Sequence, residues 1–458
     1  MKELFGTDGM RGKAGEFPLD EQTIFTLGRS LATQFAEKLG RPARFITGRD
    51  TRESGDWIEL AFHAGAKSEE AHCESAEIIT TPGVAFLTKQ FDFDAGIVIS
   101  ASHNPFEDNG IKIFLPTGKK IDSETERRIE KDIYDEGWAI VNNQWSVDYS
   151  RAEEFQSAYL DYLAEEFKDL SLENFKIVID CANGASAHLA ARLFERFGAE
   201  VFALNCEPDG QNINENCGST HLEKLFRTNK LVDSRLRKRI FEEKADFGVA
   251  FDGDADRALF VDEKGNFVDG DATLWIMAQF LEAHGLLENK KIIATVMSNL
   301  GLETALKSKN IELVRASVGD KYVLEELLKT GSAVGGEQSG HIIFPKKSLV
   351  GDGMMTTLYL LETLFENKKS LLEMTAGFTR LPQTLVGVKV REKRPFEEFP
   401  QIVKAKAEIE NQLGDKGRLL LRYSGTENLA RVMIEGENQT IIESQANGLA
   451  DVIRASLG

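Results

Sequence analysis

Two short stretches hold the residue types best suited to chemistry. In Gly96-Ile97-Val98-Ile99-Ser100-Ala101-Ser102-His103-Asn104-Pro105, an apolar, β-branched run breaks into small, polar, turn-forming residues. The run reads as a buried strand, so Ser102 is delivered to a strand's C-terminal end, which faces the ligand crevice in open α/β sheets. His103 stands beside it, and Asn104 is held extended by the following proline. The plainer alternative is an ordinary strand-to-helix turn with a serine cap. The second stretch, Phe247-Gly248-Val249-Ala250-Phe251-Asp252-Gly253-Asp254-Ala255-Asp256-Arg257, breaks in the same way. Asp252, Asp254 and Asp256 crowd three like charges that repel unless a hard cation or several donors sit among them, and oxygen-only ligation points to Mg2+. A calcium loop would also use these aspartates, with Glu263 at its twelfth position. Arg257 then falls where that loop needs glycine, and the flanks read as strands, so this reading is rejected.

Other elements must bring these residues together. Residues 5–12 form a short apolar start and a Gly- and Asp-rich loop carrying Arg11, for which an ion pair with Asp8 is the plain alternative. Residues 20–39 have helical spacing (Ile24, Phe25, Leu27, Leu31, Phe35) and stop at Gly40. A strand over 43–47 opens into Gly48-Arg49-Asp50-Thr51-Arg52. Residues 110–115 alternate as a strand and put Lys112 on its polar side, where a solvated lysine is the plain reading.

The same grammar recurs. Strands over 175–180 and 291–295 open into polar loops, as 45–47 does, and each is followed by a second strand ending in a loop of interest: the serine loop, the three-aspartate loop, and the Glu337 loop after residues 332–334. A further apolar stretch follows each loop, at 111–115, 258–261 and 341–344. The chain reads as three diverged copies of one mixed α/β unit. A long helical pattern after Asp352 leads to a segment of different texture, with strands over 384–390, 419–421 and 431–435 and helices over 397–413 and 441–456. Boundaries fall near residues 151, 265 and 377.

With 458 residues and 42% hydrophobic content, the chain has material for roughly three or four normally cored domains. Its 74 acidic against 55 basic residues give a net charge of −19, which disfavours nonspecific binding to nucleic acid or anionic membrane. Cys73, Cys181, Cys206 and Cys217 have neither paired metal-type spacing nor the density of a secreted scaffold, so reduced thiols are expected. No signal-peptide core and no membrane-length apolar run is apparent, which suggests the cytoplasm.

Ala101-Ser102-His103-Asn104-Pro105, Asp252-Gly253-Asp254-Ala255-Asp256-Arg257, Gly336-Glu337-Gln338-Ser339-Gly340-His341 and Arg422-Tyr423-Ser424-Gly425-Thr426-Glu427-Asn428 resemble, in order and across the whole chain, the four signature loops of the α-D-phosphohexomutases. The opening Phe5-Gly6-Thr7-Asp8-Gly9-Met10-Arg11-Gly12, with residues 208–214 and 217–221, is most similar to the branch that handles glucosamine phosphates. The resemblance implies an α/β protein of three related mixed-sheet domains plus a smaller C-terminal α+β domain around one central cleft. These are a phosphoserine-loop domain (1–151), a metal-binding domain (152–265), a sugar-binding domain (266–377) and a phosphate-binding domain (378–458).

Serine is a weak nucleophile toward phosphorus, so a phosphoryl-carrying serine needs a cation and positive groups around the transferring oxygens. The resemblance gives that part to Ser102, with its phosphate oxygen joining Asp252, Asp254 and Asp256 on Mg2+. Arg11 and Lys112 match the cationic pair near the transferring group and the acid/base step, with His103 as a further candidate. Three glycines in 335–340 let backbone approach a ligand closely, and the resemblance assigns Glu337 and Ser339 to two sugar hydroxyls; a tight hairpin capped by Glu337 is the alternative. Arg257 is counted as substrate-binding. Arg422, Ser424, Gly425, Thr426 and Asn428 offer a cation, hydroxyls and backbone N–H groups suited to phosphate, and Arg431 closes the nest unless it pairs with Glu435. Tyr423 and Asn428 stand where the family often has proline, a departure that implies a loop without the stiffness proline gives.

The implied reaction interconverts glucosamine 6-phosphate and glucosamine 1-phosphate through a phosphoserine enzyme, with glucosamine 1,6-bisphosphate as intermediate and activator, feeding amino-sugar nucleotide and cell-wall precursor synthesis. The alternatives are the same chemistry on glucose or mannose phosphate, a sugar-phosphate sensor without turnover, and an aspartate-nucleophile phosphatase, for which the usual threonine after Asp252-Gly253-Asp254 is absent. The expected partner is a small sugar phosphate, with no nucleic acid or membrane, and the chain a monomer or homodimer.

Overall fold

The computed structural model describes residues 3–6, 8–135, 145–424 and 428–458. The chain divides into two compact units, Met1–Met297 with Val314–Thr375 and Ser298–Leu313 with Ala376–Gly458. The first opens with β1 (Phe5–Gly6) and β2 (Gly9–Lys13), an antiparallel hairpin that joins the first sheet through β2 and leaves β1 at its edge.

Three sheets repeat one pattern, as the spacing of the apolar runs predicts. In the first, β3 (Arg44–Arg49) runs parallel to both β4 (His72–Ile78) and β5 (Ala95–Ile99), and β6 (Asp108–Phe114) returns antiparallel beside β5. In the second, β7 (Lys176–Asp180) runs parallel to β8 (Glu200–Leu204) and β9 (Phe247–Phe251); β10 (Ala258–Asp262) returns antiparallel, and β11 (Phe267–Val268) lies at its edge. The third has β12 (Lys291–Thr295) parallel to β14 (Gly335–Gly336), with β15 (Ile342–Ile343) antiparallel and β13 (Glu312–Ala316) on the far side. In all three, the working loop is the one that turns a central parallel strand back on itself. The third loop's strand comprises only Gly335 and Gly336, just past the expected 332–334.

β5 and β9 are buried along their whole length, which is why they read as continuous apolar runs without alternation. Under the first sheet, Phe45, Ile97, Ile99, Ile111 and Ile113 pack with Leu27, Leu31 and Phe62. Leu27 and Leu31 belong to the helix Glu21–Leu39, whose first turn is capped by the Asp20 carboxylate and whose end is Gly40 in the left-handed region. This helix meets Gly55–Lys67 backbone to backbone: a Cβ at Gly65 would stand 1.9 Å from the Phe25 carbonyl oxygen. Among the described residues no helix is long and apolar enough to cross a membrane.

The second unit contains a sheet of β16 (Gln383–Lys389), β17 (Arg418–Tyr423) and β18 (Leu429–Glu435), antiparallel throughout in the order β16-β18-β17. Helices Pro400–Leu413 and Gln439–Leu457 cover it through Ile402, Ile409, Ile442, Leu449 and Ile453 on Val388, Val432 and Ile434. Glu435 is fully buried and meets Arg418 at 2.9 Å, which satisfies a charge that burial alone would penalise.

Below the loop that follows β3 lies a buried polar cluster. Thr47 and Ser75 both donate to Glu59 Oε1, at 2.5 and 2.6 Å, and His63 Nε2 lies 2.9 Å from Thr47 Oγ1. Burial holds the His63 imidazole neutral, with its pKa lowered to about 3, and nearby Lys67 pushes the same way. Because the folded value lies below the unfolded value of about 6.5, the stability this gives is fully present above pH 6.5 and drains as pH falls toward 3. The slope is roughly 1.4 kcal/mol per pH unit. Urea unfolding of His63→Gln between pH 7 and pH 4 is expected to show a shallower acid loss than the parent; identical slopes would exclude His63 as the titrating group.

Candidate active site

Ser102 follows β5 in the left-handed region, with φ at 53°, a conformation costly for any residue with a Cβ unless its surroundings over-determine it. They do. The fully buried Arg52 guanidinium donates to the carbonyls of Ser102 at 3.0 Å, Asn104 at 2.8 Å and Asp108 at 2.9 Å, and to that of Pro105. Its Nε donates to Asp50 Oδ2 at 2.9 Å. Asp50 also accepts from Ser100 Oγ at 2.6 Å, and Ser100 Oγ accepts from the Ser102 N–H at 2.9 Å. The loop's main chain is thus wired to one cation, and the Ser102 hydroxyl points outward from it. That hydroxyl donates to Asp252 Oδ2 at 2.7 Å and lies 3.3 Å from His103 Nδ1.

Asp252, Asp254 and Asp256 are all buried, and one carboxylate oxygen from each lies within 4.8 Å of the others. Thr81 Oγ1 donates to Asp254 Oδ2 at 2.6 Å, and the Arg257 N–H to Asp252 Oδ1 at 3.2 Å. Asp254 Oδ1 has no hydrogen-bond partner. Burial and the neighbouring Asp256 and Asp254 carboxylates drive the Asp252 pKa up. For Asp256 burial acts upward too, but Lys112, His341 and Arg257 carry it well below the ordinary range. An oxygen without a donor, in a buried set of three carboxylates, is what a hard divalent cation would satisfy, so the residues present fit such an ion.

Lys112 departs from the solvated strand residue that its alternation suggests. Its side chain is 1% exposed, and Nζ lies 2.9 Å from Asp254 Oδ2, 3.5 Å from Asp256 Oδ2 and 3.2 Å from Asp8 Oδ2. The face of β6 that looks polar in sequence is lined by carboxylates from the loop between β1 and β2 and the loop after β9. Burial pulls the ammonium pKa down, but Asp254, Asp8 and Asp256 more than offset it and hold it above the usual lysine value. Arg11 makes the ion pair with Asp8 that its spacing allows, and its Nη1 also reaches the Ala101 carbonyl at 3.3 Å, so it serves the serine loop as well. Asp8, which the spacing offers only as a partner for Arg11, and Lys120, which carries no local signal, also join this site. Lys120 meets Asp8 at 2.7 Å and Asp320 at 2.8 Å. Burial lowers the His103 pKa to about 4, with Arg257 and Arg11 adding to the effect, so a neutral imidazole faces the serine. His341, at the end of the Glu337 loop, lies 3.5 Å from Asp256 Oδ1.

The Glu337 loop is a hairpin turn held against the aspartate loop, since the Ala258 N–H donates to the Gly340 carbonyl at 3.1 Å. Glu337 Oε1 accepts from the Gly319 N–H at 3.0 Å, and Oε2 from Ser339 Oγ at 3.3 Å. Both groups lie on one short turn, with hydroxyl and carboxylate adjacent. Gln338 turns the other way, donating to Asp271 Oδ2 at 3.0 Å and receiving Arg227 at 3.3 Å. Arg257, between the two loops, has Nε 3.7 Å from Asp256 and 3.9 Å from Asp252.

In the second unit, the β17–β18 register sets Arg422 opposite Arg431. Burial and the Arg431 charge lower the Arg422 pKa, as expected where two guanidiniums share a site suited to an anion. Arg431 and Glu435 are four residues apart along one strand, on the order of 13 Å, and Glu435 meets Arg418 instead. Ser424 is buried, and its N–H donates to the Leu429 carbonyl at 2.8 Å. Asn428 is exposed, with Nδ2 3.4 Å from the Arg391 carbonyl. Gly425 and Thr426 lie outside the described residues. Tyr423 is anchored by a stack on Phe396 (centroids 4.3 Å) and a 2.5 Å bond from its hydroxyl to the Arg394 carbonyl.

Lys112 occupies the same oxygens a cation would use. Calorimetric titration with Mg2+ is expected to find one site per chain, weakened about tenfold or more in Asp254→Asn and tightened in Lys112→Met, where a competing charge is removed. Unchanged affinity in Asp254→Asn would exclude the cluster as the cation site.

Models of the phosphoglucomutase/phosphomannomutase alpha/beta/alpha domains I, II and III match residues 2–139, 157–265 and 269–381, and that of the C-terminal domain matches 385–452. The phosphoglucosamine mutase of Solibacter usitatus is 46% identical over 457 residues, covering 100% of this chain and 99% of that protein. A phosphoglucomutase/phosphomannomutase family protein from Burkholderia thailandensis shares the fold with a TM-score of 0.78 at 22% identity, covering 99% of this chain and 97% of that one. So does Aspergillus fumigatus N-acetylphosphoglucosamine mutase, solved with GlcNAc-6P and magnesium, with a TM-score of 0.69 at 20% identity over 99% of this chain and 96% of that one. Four family domains in order on a thrice-repeated sheet, with a wired serine facing three buried aspartates, make this chain a member of the phosphoglucomutase/phosphomannomutase family of phosphohexomutases.

Proposed function

We propose that the chain interconverts glucosamine 6-phosphate and glucosamine 1-phosphate, with Ser102 as the phosphoryl carrier. The observation that carries this reading is the serine hydroxyl held 2.7 Å from Asp252 within a buried set of three carboxylates. Phospho-Ser102 gives its phosphoryl group to O1 of the 6-phosphate: the P–Oγ bond breaks, a P–O1 bond forms, and the O1 proton passes to a base in the site. Glucosamine 1,6-bisphosphate then reorients, and the C6 phosphate returns to Ser102 by the reverse step. Asp252, Asp254, Asp256 and a phosphoserine oxygen would hold Mg2+, which supplies charge neutralisation on the transferring oxygens when bound.

The remaining work falls to the chain's own groups. Lys112 and Arg11 bring positive charge to the transferring oxygens, and His103, the further acid/base candidate, lies 3.3 Å from the serine hydroxyl. Glu337 and Ser339 read two sugar hydroxyls, with Arg257 at the same ring. Arg422, Ser424, Gly425, Thr426, Asn428 and Arg431 grip the phosphate that does not react. A sensor without turnover would have no use for a buried lysine on the cation's own oxygens. The domain boundaries near 151, 265 and 377 divide these tasks among a phosphoserine-loop, a metal, a sugar and a phosphate domain. Four unpaired cysteines agree with a reducing, cytoplasmic setting.

Incubation with 32P-labelled hexose 1,6-bisphosphate is expected to label Ser102, and Ser102→Ala to lose both the label and roughly a thousandfold or more in turnover. Label on an aspartate, or full turnover by Ser102→Ala, would overturn the phosphoserine assignment.

A hydroxyl-to-amine change at C2 gives only modest discrimination unless the wrong sugar leaves a buried polar group unpaired. Across glucosamine, glucose, mannose and N-acetylglucosamine phosphates, kcat/KM is therefore expected to be highest for glucosamine, with detectable exchange of glucose phosphate. A clear lead for glucose or mannose would move the chain to another branch with its chemistry unchanged.

A further inference from the structure

Segment 208–214 reaches the serine loop at its end. Asn214 Nδ2 donates to the Ser102 carbonyl at 2.9 Å and lies 3.2 Å from the Asn104 carbonyl. Asn214 is itself in the left-handed region, with φ at 59°, a conformation asparagine tolerates, and its N–H donates to the Ala182 carbonyl at 2.9 Å. The side chain therefore starts from a point fixed beside β7. Gly253, between two of the aspartates, lies against the same carbonyl: a Cβ there would stand 2.4 Å from Ser102 O and 2.9 Å from Asn214 Nδ2.

One carbonyl oxygen is thus where the serine loop, the aspartate loop and segment 208–214 meet. A carbonyl has two lone pairs, and here two donors fix it: Arg52 at 3.0 Å from within the first sheet and Asn214 at 2.9 Å from the second. Arg52 fixes the serine loop to its own sheet only. Asn214 ties the same peptide to the strands that carry the aspartates, and so sets the distance from Oγ to Asp252.

We propose that Asn214 is a positioning residue for phosphoryl transfer, holding the Ser102 carbonyl so that the left-handed serine keeps its hydroxyl on Asp252. This rests on the phosphoserine reading above. Its effect falls on kcat, because Asn214 acts through the reacting serine and not through the groups that read the sugar.

Two variants separate this from a structural role. Asn214→Asp keeps the shape and the left-handed tolerance but cannot donate when ionised; Asn214→Gly keeps the backbone and removes the side chain. Gln211→Ala serves as control, because it breaks the 2.9 Å bond from the same segment to Glu53 and leaves the Ser102 carbonyl untouched. The measurements are kcat and KM for glucosamine 6-phosphate, the rate of Ser102 phosphorylation by glucose 1,6-bisphosphate followed by intact mass, and the melting temperature. Both Asn214 variants are expected to lose about tenfold or more in kcat and in phosphorylation rate, with KM within about threefold and melting within a few degrees of the parent, whereas Gln211→Ala matches the parent. A kcat within about twofold of the parent, a raised KM at constant kcat, or an equal kcat loss in Gln211→Ala would each overturn the proposal. If the parent itself exchanges no hexose phosphate, the mutase reading fails with it; if the parent turns over and the Asn214 variants match it, this inference alone fails.

Discussion

Three carboxylates buried within 4.8 Å of one another set the constraint on which this site depends. Each pair of ionised carboxylates at that range would repel by on the order of 3–4 kcal/mol at an effective dielectric of about 20, which adds to burial in driving the Asp252 pKa up. Water cannot screen them, so beside the cation this set fits, compensation has to come from the chain. It comes as Lys112 on two of the three, Arg257 between two, His341 beside the last and Thr81 donating to the middle one. These groups arrive from all three repeated sheets, which ties the sheets to one point.

The serine loop answers a different demand. Its backbone is held in an unfavourable region, so that a short side chain can reach across to another sheet. That geometry persists because the buried Arg52 guanidinium spends its donors on the carbonyls of one loop, with Asp50 balancing its charge. A lysine in its place would carry the charge without the planar fork that reaches several carbonyls at once. Gly253 completes the fit because it alone lets the aspartate loop lie against the Ser102 carbonyl. Serine and aspartates are therefore juxtaposed by backbone contact first and by side-chain hydrogen bonding second.

The repeated topology explains how one design yields three different loops. In each sheet the working loop reverses a central parallel strand into an antiparallel neighbour, so its residues emerge at the same strand end whatever they are. A serine, an aspartate triad and a glutamate–serine pair then differ only in side chain, on a common geometric base. The short β14 shows how little strand this requires, because Gly335 and Gly336 pair on both sides.

The sequence by itself determined the apolar runs that become β3, β5, β7, β9 and β12, the breaks that expose Ser102 and the three aspartates, and the helix that stops at Gly40, because each of these follows from local periodicity and local turn chemistry. It also contained the recurrence of the unit, since strand-then-loop order survives even where spacing drifts. What only the tertiary structure decided are the partners. Lys112 alternates like a solvated residue, yet its neighbours are carboxylates more than a hundred positions away. Arg52, Asp8, Lys120 and Asn214 lie in polar loops where any charged or amide residue reads as surface. Periodicity along one strand records which face a side chain takes, but not what another strand puts opposite that face, and the electrostatics of this site depend on those long-range pairings.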